Sequence, residues 1–393
     1  MPVSKTRQKK AIDKNVWEAS LDRIRYIYDS FDKVQVSFSG GKDSTCVLNA
    51  TLEVAREKGK LPLEVIFYDE EAIHPTTIDY VRRVSKNPDI NLKWYCLEFK
   101  HRNACSNEEP WWYCWEKDKK DIWVRELPKE AITKHKGFRK GMTIPDFCKH
   151  FNPISDGRVA LLTGIRTAES IRRYRIICAR KEEAYINRRA EPRSNTYKCH
   201  PVYDWETEDV WIGVAKFGWD YNKTYDIVNQ TKFHGKYLAQ RVSPPFGEEP
   251  LGGLWLYAEC FPEMWEKMLG RVKGVASAWR YAKTELYGNV KKPDHITWRD
   301  YVKVVLDSYP IGYRNDVKKR INHYINSHKS RTSQEIPQNN PGHPCSGTSW
   351  QFLARVATKG DFKGRQAHAL PNFSLKACDQ LGITLEEALI KFK

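Results

Sequence analysis

Val34-Gln35-Val36-Ser37-Phe38-Ser39-Gly40-Gly41-Lys42-Asp43-Ser44-Thr45-Cys46-Val47-Leu48 joins an alternating apolar run to a helical one through a pair of glycines. Val34 to Phe38 has the period of a strand, and Asp43 to Leu48 opens a helix. A strand, a glycine-rich turn and a helix together make an anion site. The first-turn N–H groups are unpaired there, and the positive end of the helix dipole adds to the attraction. Gly40 and Gly41 let an oxyanion approach backbone that a Cβ would shield. Lys42 supplies a point charge, and Ser39 and Ser44 supply hydroxyl donors. A Walker P-loop is excluded, because the residues that motif inserts before Gly-Lys-Ser/Thr are missing.

Leu48, Leu52 and Ala55 continue the helix as one apolar stripe at i, i+4 and i+7, and Gly59 stands where a helix stops. Leu63 to Tyr68 reads as a second strand. Asp69-Glu70-Glu71 follows, with Asp69 suited to a ribose or a metal and the two glutamates as readily solvated. Further strands are expected at Leu92–Phe99, Arg158–Gly164 and Cys199–Tyr203. Helices are expected at Trp17–Phe31 and after Thr207, its proposed N-cap. Alternating strands and helices predict an α/β fold with a doubly wound parallel sheet. The aromatic run Trp111-Trp112-Tyr113-Cys114-Trp115 fits packing under a long loop better than stacking on a base.

Beyond about Arg241 breakers give way to helical periods at 264–272, 276–286 and 298–306. Arg314 to Arg331 carries six Lys or Arg against one Asp, with Val317, Ile321, Tyr324 and Ile325 on one face. The expected organisation is a helical lead-in at 1–32, a nucleotide-binding domain at 33–240, a basic, mainly helical region at 241–336 and a tail at 337–393.

The 393 residues carry a net charge of +17 and ten cysteines with no C-x-x-C pair. That pattern predicts reduced thiols in the cytoplasm, with no iron–sulfur cluster or zinc. His343 and Cys345 read as a surface loop. The sequence lacks a membrane-length apolar run and a secretory h-region. The charge admits a nucleic-acid partner as readily as plain solubility, with basic clusters at Lys5–Lys10, Arg166–Arg193 and Arg314–Arg331. Oligomeric state is not legible.

Ser39-Gly40-Gly41-Lys42-Asp43-Ser44 resembles the PP-loop of ATP pyrophosphatases, which cleave ATP between the α and β phosphates. Thr163-Gly164-Ile165-Arg166-Thr167-Ala168-Glu169-Ser170-Ile171-Arg172-Arg173 resembles the G-I-R-x-x-E-S-x-R-R element of the phosphoadenylyl sulfate (PAPS) reductase family. His200 to Trp211 is similar to that family's P-L-x-D-W element, and Asp69 to Pro75 falls at its second nucleotide-binding turn. The resemblance covers Lys33 to Trp211 and implies an adenine nucleotide alpha-hydrolase-like fold. It implies ATP bound by Ser39, Gly40, Gly41, Lys42, Asp43, Ser44, Asp69, Gly164, Arg166, Glu169 and Ser170. Lys42, Asp43, Arg166 and Arg173 would serve catalysis, and Asp43 and Asp69 would hold Mg²⁺.

The family's Glu-Cys-Gly-(Ile/Leu)-His motif does not occur here, and Glu259-Cys260-Phe261-Pro262 shares only its first two residues. The expectation is therefore ATP cleavage with adenylyl transfer to an acceptor, not PAPS reduction. The long basic C-terminal half resembles the IbrA-like branch of bacterial and phage proteins, which implies a ParB-like partner. Two alternatives remain open: a sulfur-transfer enzyme directed to DNA or RNA, and a non-catalytic, nucleotide-bound regulatory module.

Overall fold

The computed structural model describes residues 12–106, 108–178, 185–187, 194–230, 242–247, 253–281, 292–361 and 364–392. The basic cluster at Lys5–Lys10 and much of the one at Arg166–Arg193 lie outside them. The chain divides into two compact units, one of Met1–Cys105 and Trp111–Trp279, the other of Ser106–Pro110 and Arg280–Lys393.

The first unit begins α1 (Val16–Ser30), β1 (Lys33–Phe38), α2 (Lys42–Glu57), β2 (Leu63–Tyr68), α3 (Pro75–Ser85) and β3 (Ile90–Tyr95). A hairpin of β4 (Lys100–Arg102) and β5 (Trp111–Tyr113) follows, then α4 (Ile144–His150), β6 (Val159–Leu162), α5 (Ile171–Cys178) and β7 (Thr196–Cys199). It closes with α6 (Thr207–Phe217), α7 (Thr224–Asn229), α8 (Leu254–Cys260), α9 (Pro262–Arg271) and α10 (Val275–Tyr281). Five strands form one parallel sheet in the order β3-β2-β1-β6-β7. The chain leaves β1 toward β2 on one side, and β6 leads to β7 on the other. A crevice therefore opens at the carboxyl ends of β1 and β6, where such sheets bind ligands. All four residues of β6 are buried, as a central parallel strand requires.

The expected strand at Cys199–Tyr203 lies one turn earlier. Thr196–Cys199 pairs with β6, and His200 to Asp204 turns, because Pro201 has no N–H to give a ladder. The N-cap of α6 is Glu206, in a reciprocal capping box with Asp209, and Thr207 is already helical. Asp204 and Trp205 anchor the lead-in helix: Arg23 forks onto Asp204 at 2.8 and 2.6 Å, and Trp205 Nε1 donates to Ser20 Oγ at 2.9 Å. Leu254, Leu256, Met264, Met268 and Val272 join the sheet's apolar core, so α8 and α9 pack with the parallel-sheet unit.

The second unit holds α11 (Trp298–Asp307), α12 (Ile311–Lys329), α13 (Trp350–Lys359), α14 (Leu370–Leu381) and α15 (Leu385–Lys391). The face predicted for α12 buries Val317, Ile321 and Tyr324 with Tyr313 and His328, while Lys318 and Lys319 stay exposed. The segment read as a tail is folded: Phe352, Leu353, Val356 and Ala388 are core residues. Among the described residues no helix is long and apolar enough to cross a membrane.

His343 and Cys345 are buried, which corrects the surface-loop reading. Cys345 N–H donates to His343 Nδ1 at 3.3 Å, and His343 Nε2–H donates to Gln334 Oε1 at 3.0 Å, a pattern only a neutral ring satisfies. Burial, with the neighbouring His328, lowers its pKa from 6.5 to about 4. The unfolded chain thus binds more protons between those values, so stability is full above the window and lost as pH falls through it. Urea unfolding of the full chain at pH 7 and pH 4.5 should show this loss, and His343→Gln should lose measurably less between the two.

Candidate functional site

The loop from Ser39 to Ser44 lies at the crevice between β1 and β6. Gly40 has φ +70°, and a Cβ there would come within 3.0 Å of Thr77. Gly41 caps α2 with no side-chain acceptor, so the helix's first amides look elsewhere. Lys42 N–H donates to the Tyr225 hydroxyl at 3.1 Å, and Gly41 N–H to Ser39 Oγ at 3.3 Å. Ser44 Oγ donates to Gly41 O at 2.8 Å and lies 3.1 Å from Ser39 Oγ. Hydroxyl oxygens therefore stand where an anion's oxygens would accept. Asn222, fully buried, donates to Gly40 O at 2.8 Å and to Thr77 Oγ1 at 2.9 Å, fixing the turn before α7 against the loop.

Lys42 is only 3% exposed, with its ammonium 3.1 Å from Asp43 Oδ2. Burial pushes its pKa down, Asp43 pulls it back up, and Arg166 adds to the lowering. A lysine so held gains from any anion that arrives.

Arg166 is 1% exposed. Its Nε donates to Asp43 Oδ1 at 2.6 Å, Nη1 to Trp205 O at 3.0 Å, and Nη2 lies 3.5 Å from Thr207 Oγ1. The sequence reading offers Arg166 to a phosphate. The fold instead makes it a brace joining the β1–α2 loop, the segment after β6 and the start of α6. Gly164 completes the join, because a Cβ there would lie 2.7 Å from Asp43 C and 2.8 Å from Ser44 N. Glu169 accepts from Arg166 N–H at 3.3 Å and pairs with Arg173, and Ser170 Oγ accepts from Arg173 N–H at 3.3 Å. Lys42, Asp43, Gly164, Arg166 and Glu169 thus form one connected cluster, which Arg173 and Ser170 join through Glu169 and α5.

Asp69 stands apart from it, at the carboxyl end of β2, and is completely buried. Its Oδ2 accepts from Trp94 Nε1 at 2.8 Å, and its Oδ1 accepts from Glu71 N–H at 3.0 Å and pairs with Arg125. Glu71 is buried too, in a left-handed conformation at φ +63°. It accepts from Trp115 N–H at 2.6 Å, Val124 N–H at 3.1 Å, and Arg271 Nε and Nη2 at 2.7 and 3.0 Å. The solvated reading of Glu71 is corrected, and nothing local in the sequence points to a partner 200 positions away.

The two carboxylates expected to hold Mg²⁺ both have protein partners. Asp43 is engaged by Lys42 and Arg166, and Asp69 by Arg125 and Trp94, so a cation would have to displace a charged donor from each. Among the described residues no group of three or more His, Cys, Asp or Glu is placed to hold a metal ion.

Residues 33–228 match the model of the phosphoadenosine phosphosulfate reductase domain, and residues 236–335 match a domain of unknown function, DUF3440. The chain is 32% identical over 366 residues to the uncharacterized protein YbdN of Escherichia coli (strain K12), covering 88% of this chain and 89% of that one. It is 27% identical over 196 residues to the uncharacterized protein MJ0973 of Methanocaldococcus jannaschii, spanning 38% of that protein's length. Among solved structures, PAPS reductase from Candida auris aligns at TM-score 0.30 and 15% identity, covering 58% of this chain and 98% of that one. Candida glabrata FMN adenylyltransferase aligns at TM-score 0.34 and 13% identity, covering 56% of this chain and 62% of that one.

Because Gly164 meets loop backbone and not a yielding side chain, Gly164→Ala should force the loop from its place. We expect a stability loss of about 1–3 kcal/mol by chemical denaturation. Pyrophosphate binding measured by calorimetry should fall with it, whereas unchanged binding would show that the loop tolerates the shift.

Proposed function

The chain belongs to the phosphoadenosine phosphosulfate reductase family, and from that premise we propose that it binds ATP at Ser39–Ser44, cleaves it between the α and β phosphates and transfers the adenylyl group to an acceptor. The observation that carries this reading is the Ser39–Ser44 loop itself: helix-start amides capped only by hydroxyls, beside a buried lysine, in the crevice of a parallel sheet.

The amides of Gly41 and Lys42 would exchange the hydroxyls of Ser39 and Tyr225 for phosphate oxygens. Charge-assisted hydrogen bonds are about twice as strong as neutral ones, so the exchange favours the anion. As the acceptor attacks the α-phosphorus, the α–β bridging bond breaks and its electron pair leaves with pyrophosphate. Lys42 and the loop donors are arranged to take up that charge. Asp43 holds Lys42 and is itself held by Arg166, so the ammonium is fixed before the charge develops. Arg173, on α5 and paired with Glu169, is the cation of this cluster that retains partial exposure and would meet the acceptor or the α-phosphate.

PAPS reduction does not fit these residues. Cys260 ends α8, and burial together with Glu259 raises its thiol pKa, the reverse of what a thiolate nucleophile needs.

Lys42→Ala should weaken ATP binding by about 1–3 kcal/mol, the cost of a lost charged hydrogen bond. Calorimetry that finds ATP affinity unchanged in a folded variant removes the loop as the nucleotide site. Incubation with PAPS and thioredoxin should release no sulfite. Sulfite that disappears in Cys260→Ser would instead establish reduction.

A further inference from the structure

A cavity of about 930 Å³ opens in the first unit beside β3, away from the Ser39–Ser44 loop. It is walled by the segment after β3, by residues 115–140 and by α9. Its volume is near the upper end for small-molecule sites. Six cationic side chains line it, Lys117, Lys120, Arg125, Lys134, Lys140 and Lys267, against the three carboxylates of Glu98, Asp121 and Glu126. Lys140 is matched by Glu98 at 3.4 Å, and Arg125 by Asp69. Lys117, Lys120, Lys134 and Lys267 have no ion-pair partner among the described residues and are exposed. Lysines left unmatched around one concavity raise its potential and draw in anions.

The wall between these charges is aromatic. Trp115 and Trp123 meet edge to face at 5.2 Å, and Phe138 and His135 complete the lining. Trp115 Nε1 donates to Asp69 O at 2.8 Å and Trp123 Nε1 to Glu116 O at 2.9 Å, so both indoles have their polar needs met; Trp115 is buried and backs the wall, and the half-buried Trp123 offers a ligand ring surface. Burial lowers the pKa of His135, whose ring stacks on Phe151 at 4.9 Å, so it presents a neutral ring at pH 7. Arg125 lies 4.9 Å from the Trp115 ring centroid, and its Nε is buried with no hydrogen-bond partner.

We propose that this cavity is a second ligand site, for a small polyanion bearing a flat aromatic group, such as a phosphorylated heterocycle. β3 lies two strands from β1, about 10 Å at ordinary strand spacing, so site and loop share the carboxyl edge of one sheet. On the reading of the loop given above, the ligand here is the acceptor of the adenylyl group.

The probe is pyridoxal 5′-phosphate, a flat aromatic phosphate whose aldehyde condenses with a lysine amine and loses water. Borohydride then fixes the imine as a stable secondary amine. Peptide mapping of the full chain at low probe concentration should find the label concentrated on Lys117, Lys120, Lys134 or Lys267. The triple variant Lys117→Glu, Lys134→Glu, Lys267→Glu changes only exposed side chains. It should bind the probe on the order of tenfold more weakly, while ATP affinity at the loop is unchanged. Label spread over surface lysines at large, or a triple variant within twofold of the parent, overturns the site. ATP binding by the parent is read separately, so a chain that takes the probe but not ATP keeps this cavity and loses the reading of the loop.

Discussion

The buried pair of Arg166 and Asp43 is the contact on which the arrangement of the crevice depends. The chain diverges at β1 and β6, and something must hold the two departing segments at a fixed separation. Arg166 does so with one planar group, reaching Asp43 on one side and Trp205 O on the other. A guanidinium suits this task because its donors lie in a rigid fork, whereas a lysine would reach one partner. Burying such a pair adds little net stability, because both charges lose water. Its effect is on geometry: with Asp43 fixed, Lys42 is fixed, and Gly164 lets the β6 exit lie against the loop without a side chain between them.

A second buried ion pair organises the opposite flank. Glu71 turns the chain after β2 in a conformation that costs a non-glycine residue about 1 kcal/mol or more. Its carboxylate accepts from the insertion at Trp115 and Val124 and from Arg271 on α9. One residue thus ties together the sheet, the aromatic insertion and the first helices of the C-terminal half. Acidic residues at a strand's carboxyl end are often read as ligand groups, but Asp69 and Glu71 are each saturated by protein donors, and their chemistry is that of anchors.

The parts of the fold that were legible in the sequence are those with local causes. The glycine pair, the apolar runs of β1, β2 and β6 and the periods of α1, α2 and α12 each state their structure within a few residues. So does the helix stop at Gly59, with φ of +62°. What escaped has partners far off in the chain. The hydroxyl of Tyr225 answers an amide 183 positions earlier, and Arg271 answers Glu71 over a longer gap still. His343 and Cys345 carry loop-like neighbours in sequence, yet α14 and α15 cover them. Thr207 loses the cap position to Glu206 because Asp209 can reach back to the Glu206 amide. The arginine element was visible as charge, but charge alone does not say whether an arginine faces a ligand or a carboxylate.

The contacts of the loop divide along the same line. Bare amides at a buried helix start cost free energy, since backbone N–H groups shut away from water need acceptors. Tyr225 and Ser39 supply them to Lys42 and Gly41 with neutral hydroxyl contacts, each worth on the order of 1 kcal/mol net. Such neutral contacts satisfy the amides and are weaker than the charge-assisted bonds an anionic acceptor would make with the same donors. Arg166 cannot be exchanged in that way, because removing Asp43 from it would strand a buried cation. The cluster therefore separates into a fixed half, Arg166 with Asp43 and Lys42, and an exchangeable half, the hydroxyls over the amides. An anion taken up at this loop would draw on the second half while the first keeps the geometry.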